Sequence, residues 1–490
     1  MMDLVELARG VILTAYTGEP SAFAGCVLFA RDGESVEEAR ACSERARAVS
    51  GAAPMVAIDQ EGGRVARLRR GVEPIPSMMA LGATGNEDLA LRAGEATAHD
   101  LRRAGCTVDF APVLDLALEP ANTVIGTRAF GSDPQLVARL GAAFARGLRN
   151  GGIMPTYKHV PGHGSTDVDS HLALPHVRTP EETLRVRDFV PFARCASDDA
   201  AMMASHVVIE ALDPDLPASI SRRVLNGLLR ETWGFTGVVF TDCLQMDAIA
   251  RGVGTVEGAC AAIAAGADCV IISQDASLAS SCAQALADRA GDGRLSLERL
   301  REANARVMRL RLAGAPPLPI DAPPPHPGLG REIARRAVTL VRGAARANPD
   351  DTVVVSFEGE VYDGAGGLAM NPSLLTYAPG AHGLRASLAP GEGEREALVA
   401  DVRAGRRRCV ILARRAHLYP EQLRAIDALL EVDPDALVVS TREPFDIPEL
   451  SRARHLVATY GDDAASMNGL ADVIFEGVPA GGTLPVQFHR

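Results

Sequence analysis

The sequence predicts an α/β protein made of a TIM-type (β/α)8 barrel followed by a smaller α/β sandwich-like domain. Three observations predict this fold class. Eight short apolar runs occur before residue 275, helical stretches rich in Ala, Arg and Glu separate them, and a proline-rich segment precedes a second series of apolar runs. The 490 residues, of which 47% are hydrophobic, are enough for two or three domains.

The eight predicted barrel strands are short apolar runs that end in polar or glycine-rich residues. Runs of this kind, alternating with helical stretches, are typical of parallel strands that are buried on both faces. Active sites of such barrels lie at the carboxyl ends of the strands, so the polar residues there are candidates for chemistry. The strands are residues 10–16, 26–30, 55–59, 108–114, 156–159, 202–208, 238–241 and 269–273.

The boundary between the two domains is predicted from proline content. Residues 313–330 contain seven prolines, which cannot continue a regular helix or a central strand. We therefore expect the barrel at residues 1–312, a linker at 313–330 and the C-terminal α/β domain at 331–490. Within that domain the pattern predicts strands at 352–357, 409–413, 436–440 and 456–459, and helices at 331–341 and 420–430.

Composition excludes several classes of function. The net charge of −12 gives no basic surface for nucleic acid or for an anionic membrane. Asp3 and Glu6 occur where a signal peptide carries basic residues, and no apolar run reaches membrane-spanning length, so we expect a cytoplasmic protein. The nine cysteines form no CxxC pair, which argues against a disulfide framework and against a cysteine-ligated zinc site.

The densest polar motif of the chain is residues 158–171, KHVPGHGSTDVDSH, which follows the fifth predicted strand. Pro161, Gly162 and Gly164 predict a loop, whose charged groups should face a cavity at the mouth of the barrel. Lys158 is the only lysine among 50 basic residues. Because Arg and Lys are not interchangeable at a shaped polar site, its retention here indicates a functional ammonium group.

Two chemistries that this motif permits use a metal or an amine. In the first, His159, His163 and His171 bind a metal ion, with Asp242 as a further ligand. The first predicted strand contains no histidine, which disfavours this interpretation because paired ligands on an early strand are usual in barrel metallohydrolases. In the second, Lys158 forms a Schiff base with a carbonyl substrate. Its polar and basic neighbours do not obviously desolvate it.

The third chemistry is transfer of a glycosyl group to water. It needs an anionic nucleophile below the anomeric carbon and a proton donor beside the leaving oxygen. Asp242, which follows the apolar run 238–241, is the candidate nucleophile, and His171 is the candidate donor. Asp169 is placed to hydrogen-bond the imidazole and raise its basicity. In the alternative interpretation, Asp169 and His171 are structural residues of a loop.

Five separated motifs, taken together, resemble glycoside hydrolase family 3 and its NagZ-type bacterial β-N-acetylglucosaminidases. They occur in the same order as in the family and span residues 59 to 242. They are residues 59–65 (DQEGGRV), 109–115 (DFAPVLD), 124–131 (VIGTRAFG), 158–171 and 237–242 (GVVFTD). The tail also resembles the family's second α/β domain, at residues 459–461 (TYG) and 477–486 (GVPAGGTLPV).

The resemblance implies a retaining exo-β-N-acetylglucosaminidase that needs no metal and no cofactor. It implies that Asp242 is the nucleophile and that His171, assisted by Asp169, is the acid/base. The sugar-binding residues of the family correspond to Asp59, Arg67, Arg128, Lys158 and His159. The implied substrate is a small carbohydrate with a terminal β-N-acetylhexosamine, such as a cell-wall fragment in muropeptide recycling.

Two alternatives remain open beside hydrolysis of N-acetylglucosaminides. One is a phosphorylase or β-glucosidase of the same family, since a histidine acid/base repels phosphate less than a carboxylate would. The other is a catalytically inactive sugar-binding protein. One departure is Cys243, which occupies the position after the nucleophile where the family branch commonly has an acidic residue. We expect a structural or substrate-framing role for the C-terminal domain, in which His382 and Tyr419 are unassigned.

Overall fold

A computed structural model describes residues 3–16, 23–49, 54–166, 174–197, 199–359, 374–377, 380–405 and 408–488. Its first part is a closed barrel of eight parallel strands, which confirms the predicted fold class. Each strand pairs with the next in the chain, and β8 closes the barrel on β1. The strands are β1 Ile12–Ala15, β2 Gly25–Leu28, β3 Met55–Ile58, β4 Val108–Asp109, β5 Met154–Val160, β6 Ala201–Ala204, β7 Val239–Cys243 and β8 Cys269–Ile272.

All eight predicted strands are present, but two of them end at least four residues earlier than the sequence pattern indicated. β4 ends at Asp109 rather than at residue 114, and Pro112, which lacks a backbone N–H for ladder pairing, lies in the missing part. β6 ends at Ala204 rather than at residue 208, because Val208 and Ile209 pair instead with the short strand His176–Val177. The residues beyond these ends are therefore free to form loops at the barrel mouth.

Helices cover the outside of the barrel, and several of them begin at a capping side chain. Asn86 and Asp133 cap the helices Glu87–Arg103 and Pro134–Asn150, which pack closely against each other because Gly94 meets the backbone of the second helix. The barrel helices are Leu4–Arg9, Val36–Val49, Met78–Thr84, Glu87–Arg103, Pro134–Asn150, Glu181–Val186, Val190–Cys195, the π-helix Arg223–Thr232, Asp247–Ala250, Thr255–Ala265, Ala276–Gly291 and Leu297–Ala313.

The C-terminal domain is a six-stranded sheet in the order β9-β14-β13-β12-β10-β11, in which only β9 is antiparallel to its neighbour. Val353 and Val355 contribute to one apolar core and Val354 to another, so both faces of the sheet are covered. The strands are β9 Thr339–Arg342, β10 Thr352–Glu358, β11 His382–Ser387, β12 Arg408–Ala413, β13 Leu437–Ser440 and β14 His455–Ala458. The helices are Leu329–Ala337, Glu392–Gly405, Pro420–Val432 and Ala464–Ile474.

Residues 314–328, all of which the structure describes, form no helix or strand. Arginine side chains of the barrel hold this proline-rich segment by its carbonyl groups: Arg102 Nη2 donates to Pro316 O at 2.9 Å, and Arg103 Nε donates to Ile320 O at 2.7 Å. The division into domains at 1–312, 313–330 and 331–490 remains a prediction. Among the described helices, none is long and apolar enough to cross a bilayer.

Candidate active site

A cavity of about 480 Å³ opens at the carboxyl ends of the barrel strands. Its walls combine apolar residues of β2 and β8 with charged residues near the ends of β5 and β7 and in the loops that follow β3 and β4. Six of the eight site residues predicted from the sequence line it: Asp59, Arg67, Arg128, Lys158, His159 and Asp242. The other two, Asp169 and His171, lie outside the described residues.

Lys158 lies at the end of β5, and its side chain is buried between two carboxylates. Its Nζ is 2.8 Å from Asp59 Oδ1 and 2.6 Å from Glu61 Oε1. Burial alone would lower the pKa of Lys158, but the two carboxylates outweigh it and raise that pKa. A charged ammonium cannot attack a carbonyl group, so this environment is the opposite of what a Schiff-base lysine needs.

Glu61 joins Lys158 to Arg128 and was not among the predicted site residues. Arg128 donates two parallel hydrogen bonds to it, from Nε to Oε2 and from Nη2 to Oε1, both at 2.8 Å. Burial would raise the pKa of Glu61, but Arg128 and Lys158 lower it to about 2. The sequence contained a signal for a further carboxylate. Three cationic residues were assigned to sugar binding, whereas Asp59 was the only carboxylate assigned to it.

Asp59 and Arg67 lie at the two ends of a short hairpin, Gln60–Gly62 with Val65–Ala66, that follows β3. Arg67 Nη2 is 3.2 Å from Asp59 Oδ2. Burial would raise the pKa of Asp59, but Lys158 and Arg67 lower it, so the carboxylate is ionised. Side chains alternate along the hairpin, which places Asp59, Glu61 and Arg67 on the cavity side.

His159 is oriented by Asp115, a second site residue that the sequence interpretation missed. Asp115 Oδ2 accepts hydrogen bonds from His159 Nδ1 at 2.6 Å and from the His159 backbone N–H at 3.1 Å. Its Oδ1 accepts from the backbone N–H of His163 at 2.7 Å. Because Asp115 accepts the hydrogen bond from Nδ1, His159 Nε2 is left facing the cavity, 3.4 Å from Arg128 Nη2.

His163, which belongs to the same sequence motif as Asp169 and His171, also lines the cavity. Burial lowers the pKa of His163 to about 4, so the ring is neutral near pH 7. Thr166 Oγ1 lies 2.9 Å from His163 Nδ1, which fixes the last described residue of this loop next to the cavity.

Asp242 lies near the end of β7, and its carboxylate faces the cavity. The backbone N–H of Cys243 donates to Asp242 Oδ1 at 2.7 Å. His206 donates from Nε2 to the carbonyl of Cys243 at 2.9 Å, which links the end of β6 to the backbone beside the candidate nucleophile. Burial raises the pKa of the Cys243 thiol, which accepts a hydrogen bond from Ser273 Oγ at 3.0 Å.

Within the described ranges, no group of three or more His, Cys, Asp or Glu side chains is arranged to hold a metal ion. The arrangement that is present suits a polyhydroxylated ligand. Ionised Asp59 and Glu61 can accept hydrogen bonds from hydroxyl groups, and Arg67, Arg128 and Lys158 can donate them, while Asp242 supplies a carboxylate in the same cavity.

Comparisons of the sequence with a family model and with individual proteins agree with each other. Residues 19–310 match the sequence model described as "Glycosyl hydrolase family 3 N terminal domain". A protein of Pseudomonas aeruginosa strain PAO1 named "Beta-hexosaminidase" is 41% identical over 253 residues, which are 51% of this chain and 75% of the relative.

Similarity to solved structures extends over both domains. The structure of a glycoside hydrolase family 3 β-N-acetylglucosaminidase from Paenibacillus sp. str. FPU-7 has a TM-score of 0.91 and 31% identity, with 99% of each chain covered. A β-glucoside phosphorylase bound to 2FGlc has a TM-score of 0.81 and 20% identity over 99% of this chain and 94% of that chain. This second likeness concerns the fold alone.

Proposed function

The chain belongs to glycosyl hydrolase family 3 and is a glycoside hydrolase, and on that premise we propose that it is a retaining exo-β-N-acetylglucosaminidase. It would hydrolyse terminal non-reducing β-N-acetyl-D-hexosamine residues. The observation that carries the proposal is the convergence of Asp242 and five buried or half-buried charged and imidazole side chains on one cavity. The name of the Pseudomonas aeruginosa relative, a β-hexosaminidase, supports the substrate class.

The charged residues bind the terminal sugar in this proposal. Asp59, Arg67, Arg128, Lys158 and His159 hydrogen-bond its hydroxyl groups and its 2-acetamido group. Their mutual ion pairs hold them in place before substrate arrives, so little ordering is needed on binding. Several charged donors and acceptors together replace the water that the sugar loses.

The first chemical step is attack by the Asp242 carboxylate on the anomeric carbon. A bond forms from a carboxylate oxygen to that carbon, while the bond to the leaving oxygen breaks and that oxygen takes a proton from His171. Asp169 hydrogen-bonds the imidazole and stabilises its protonated form. The product is a glycosyl ester on Asp242 with inverted configuration at the anomeric carbon.

In the second step, water attacks the same carbon from the face that the leaving group vacated. His171, now neutral, accepts a proton from the water, and the ester bond to Asp242 breaks. Two inversions give net retention, and both side chains return to their starting protonation states. For the natural substrate we propose cell-wall fragments that carry a terminal N-acetylglucosamine, in muropeptide recycling; the cytoplasmic location remains a prediction.

Phosphorolysis is the second candidate function, and one observation favours it. Among the residues that the structure describes, four cationic side chains line the cavity, Arg31, Arg67, Arg128 and Lys158, and outnumber the three described carboxylates Asp59, Glu61 and Asp242. This surplus would favour an anionic acceptor such as phosphate in place of water.

The two candidates are separated by following p-nitrophenol release from the β-N-acetylglucosaminide and from the β-glucoside, with and without phosphate. We expect faster release from the first substrate, free N-acetylglucosamine as product, and a rate independent of phosphate. A sugar 1-phosphate formed only with phosphate would establish the phosphorylase, and absence of any turnover would support a non-catalytic sugar-binding protein.

The nucleophile is tested by Asp242→Asn, which should lower turnover by at least about 1,000-fold. An activated 5-fluoro glycosyl fluoride should label the wild-type chain on Asp242, as mass spectrometry of the peptide would show. Asp247→Asn, which removes a carboxylate five residues further on and outside the cavity lining, is the matched control. Normal turnover in Asp242→Asn, with no label on the wild type, would overturn the proposed mechanism.

A further inference from the structure

The loop that follows β4, residues 110–133, carries several residues of the candidate site and is here called the β4 loop. It holds Asp115, which orients His159, and Val124 and Arg128, which line the cavity. Its one stretch of helix is the short turn Gly126–Arg128. A long loop with so little regular structure needs contacts from elsewhere to stay ordered.

The C-terminal domain contacts the loop near its middle and at its C-terminal end. His417 Nε2 donates to the carbonyl of Pro120 at 3.1 Å. At the C-terminal end of the loop, the backbone N–H of Ser132 donates to the carbonyl of Pro485 at 2.9 Å, and the Ser132 hydroxyl accepts from the N–H of Gln487 at 2.9 Å.

The turn that bears Arg128 is contacted directly by Glu443 of the C-terminal domain. Gly126 has φ +44°, and a Cβ atom at this position would collide with Oε1 of Glu443. The Glu443 carboxylate therefore packs against the backbone of the turn, two residues before Arg128.

Glu443 is itself held rigidly. Arg415 donates two parallel hydrogen bonds to it, from Nε at 2.8 Å and from Nη2 at 2.9 Å, and both side chains are buried. Burial would raise the pKa of Glu443, but Arg415, Arg442 and Arg64 lower it far below the ordinary value, so the carboxylate is ionised. A buried, bidentate ion pair has one well-defined geometry.

Arg64, whose charge contributes to the lowered pKa of Glu443, contacts the β4 loop from the barrel. It follows the hairpin strand that contains Glu61, and its Nη2 donates to Thr123 O at 2.9 Å and to Val124 O at 2.6 Å. The carbonyl of Val124 also accepts from Arg128 Nη1 at 3.0 Å. Glu443 of the C-terminal domain and Arg64 of the barrel therefore both contact the segment that carries the guanidinium group facing the cavity.

We propose that Glu443 is a positioning residue for Arg128, so that the C-terminal domain sets the affinity of the active site for sugar without contacting the sugar. This inference rests on the proposed function, because it assigns Arg128 to substrate binding. Removal of the Glu443 carboxylate leaves a space against Gly126 and removes the anion to which Arg415 donates two hydrogen bonds. The turn then shifts, and Arg128 loses its fixed relation to Glu61.

The experiment compares Glu443→Ala with the wild type on the chromogenic glycoside that the wild type cleaves best. Competent sites are counted by the burst on reaction with the activated fluoroglycoside, so that unfolded protein does not contribute. We expect KM to rise about 10-fold, the loss typical of a displaced charged hydrogen bond. The kcat per competent site should fall less than 3-fold. Glu443→Gln, which keeps the shape against Gly126, should recover part of the affinity.

A double-mutant cycle separates positioning from general destabilisation. If Glu443 acts through Arg128, Glu443→Ala should raise KM less than 2-fold in an Arg128→Lys background, because the site is then already disordered. Equal effects of Glu443→Ala in both backgrounds, or an unchanged KM in the single variant, would overturn the proposal. The matched control is Asp472→Ala, which removes another carboxylate paired with an arginine, Arg331, inside the C-terminal domain and should leave KM unchanged.

Failure of the inference and failure of the proposed function give different results. If the wild type cleaves no glycoside, the proposed function is wrong, and calorimetric binding of N-acetylglucosamine to the same variants then decides the role of Glu443. If the wild type is active and Glu443→Ala has wild-type KM at every competent site, only the positioning role is wrong.

Discussion

Replacement of Glu61 by glutamine gives the sharpest test of the charged network in the candidate site. The side chain is 1% exposed and accepts two hydrogen bonds from Arg128, and Lys158 Nζ lies 2.6 Å from it. Together with Asp59 and Arg67, these residues have a net charge of +1, which Glu61→Gln raises to +2. We expect the barrel to lose stability, because two buried cations lose their shared counter-ion.

The size of the loss follows from the pKa of Glu61. That pKa is about 2 in the folded chain and 4.5 for an ordinary glutamate. At about 1.4 kcal/mol per pH unit, the difference corresponds to about 3 kcal/mol of stability above pH 4.5. Because the folded-state pKa is depressed, this contribution is lost as the pH falls from 4.5 towards 2. Removal of one partner of a buried pair typically costs about 3–5 kcal/mol, which agrees.

Urea unfolding followed by the fluorescence of Trp233 measures this loss. Trp233 is the only tryptophan, and it packs against Phe189 of the barrel. Glu61→Gln should lower the free energy of unfolding by about 3 kcal/mol at pH 7 and by clearly less at pH 3. Glu181→Gln, in an exposed pair with Arg185, is the control and should cost less than about 0.5 kcal/mol. A loss below about 1 kcal/mol at pH 7, or equal losses at the two pH values, would refute the reasoning.

Three further predictions concern the chemistry. His171→Ala should slow release of poor leaving groups by about 100- to 10,000-fold and of 2,4-dinitrophenol much less, with azide restoring turnover as a glycosyl azide; no rescue would count against His171 as acid/base. Asp115→Asn should lower kcat/KM about 10- to 100-fold because it releases the His159 ring, and unchanged kinetics would contradict that role. Because burial raises the pKa of Cys243, iodoacetamide should alkylate it slowly at pH 7 and faster in alkaline solution, as peptide mass spectrometry would show; rapid reaction at pH 7 would contradict this.

The barrel strands were predictable because the hydrophobic pattern that indicates them lies within short stretches of the sequence. Strands buried on both faces of a parallel sheet read as continuous apolar runs, and the whole of β3, Met55–Ile58, is buried. β11, His382–Ser387, was not predicted, since it is a mostly exposed edge strand with polar residues. Strand ends were the least predictable feature. The predicted β4 ends five residues too late because the apolar pattern continues past Asp109.

Site residues were predictable from the sequence where the residue type itself indicates the chemistry. They were missed where a residue acts by holding another residue in place. Lys158 and Asp242 stood out as polar groups at the ends of apolar runs. Glu61 and Asp115 lie inside the same motifs, but their importance depends on which cation or imidazole they contact, and those contacts join segments far apart in the chain. The roles assigned to Asp169 and His171 remain predictions.

The contact between Glu443 and Gly126 shows why the C-terminal domain could not be assigned a role from the sequence. No motif marks it, since the glutamate lies in a short turn of one domain and the glycine in a loop of the other. The barrel strands fix Asp59, Lys158 and Asp242 because those residues directly follow or end strands, whereas Arg128 lies far from any strand end. Sugar binding needs all of these groups held in mutual register before the substrate arrives. A loop residue can meet that requirement only if other parts of the protein hold its loop, and both Arg64 of the barrel and Glu443 of the C-terminal domain contact the loop that carries Arg128.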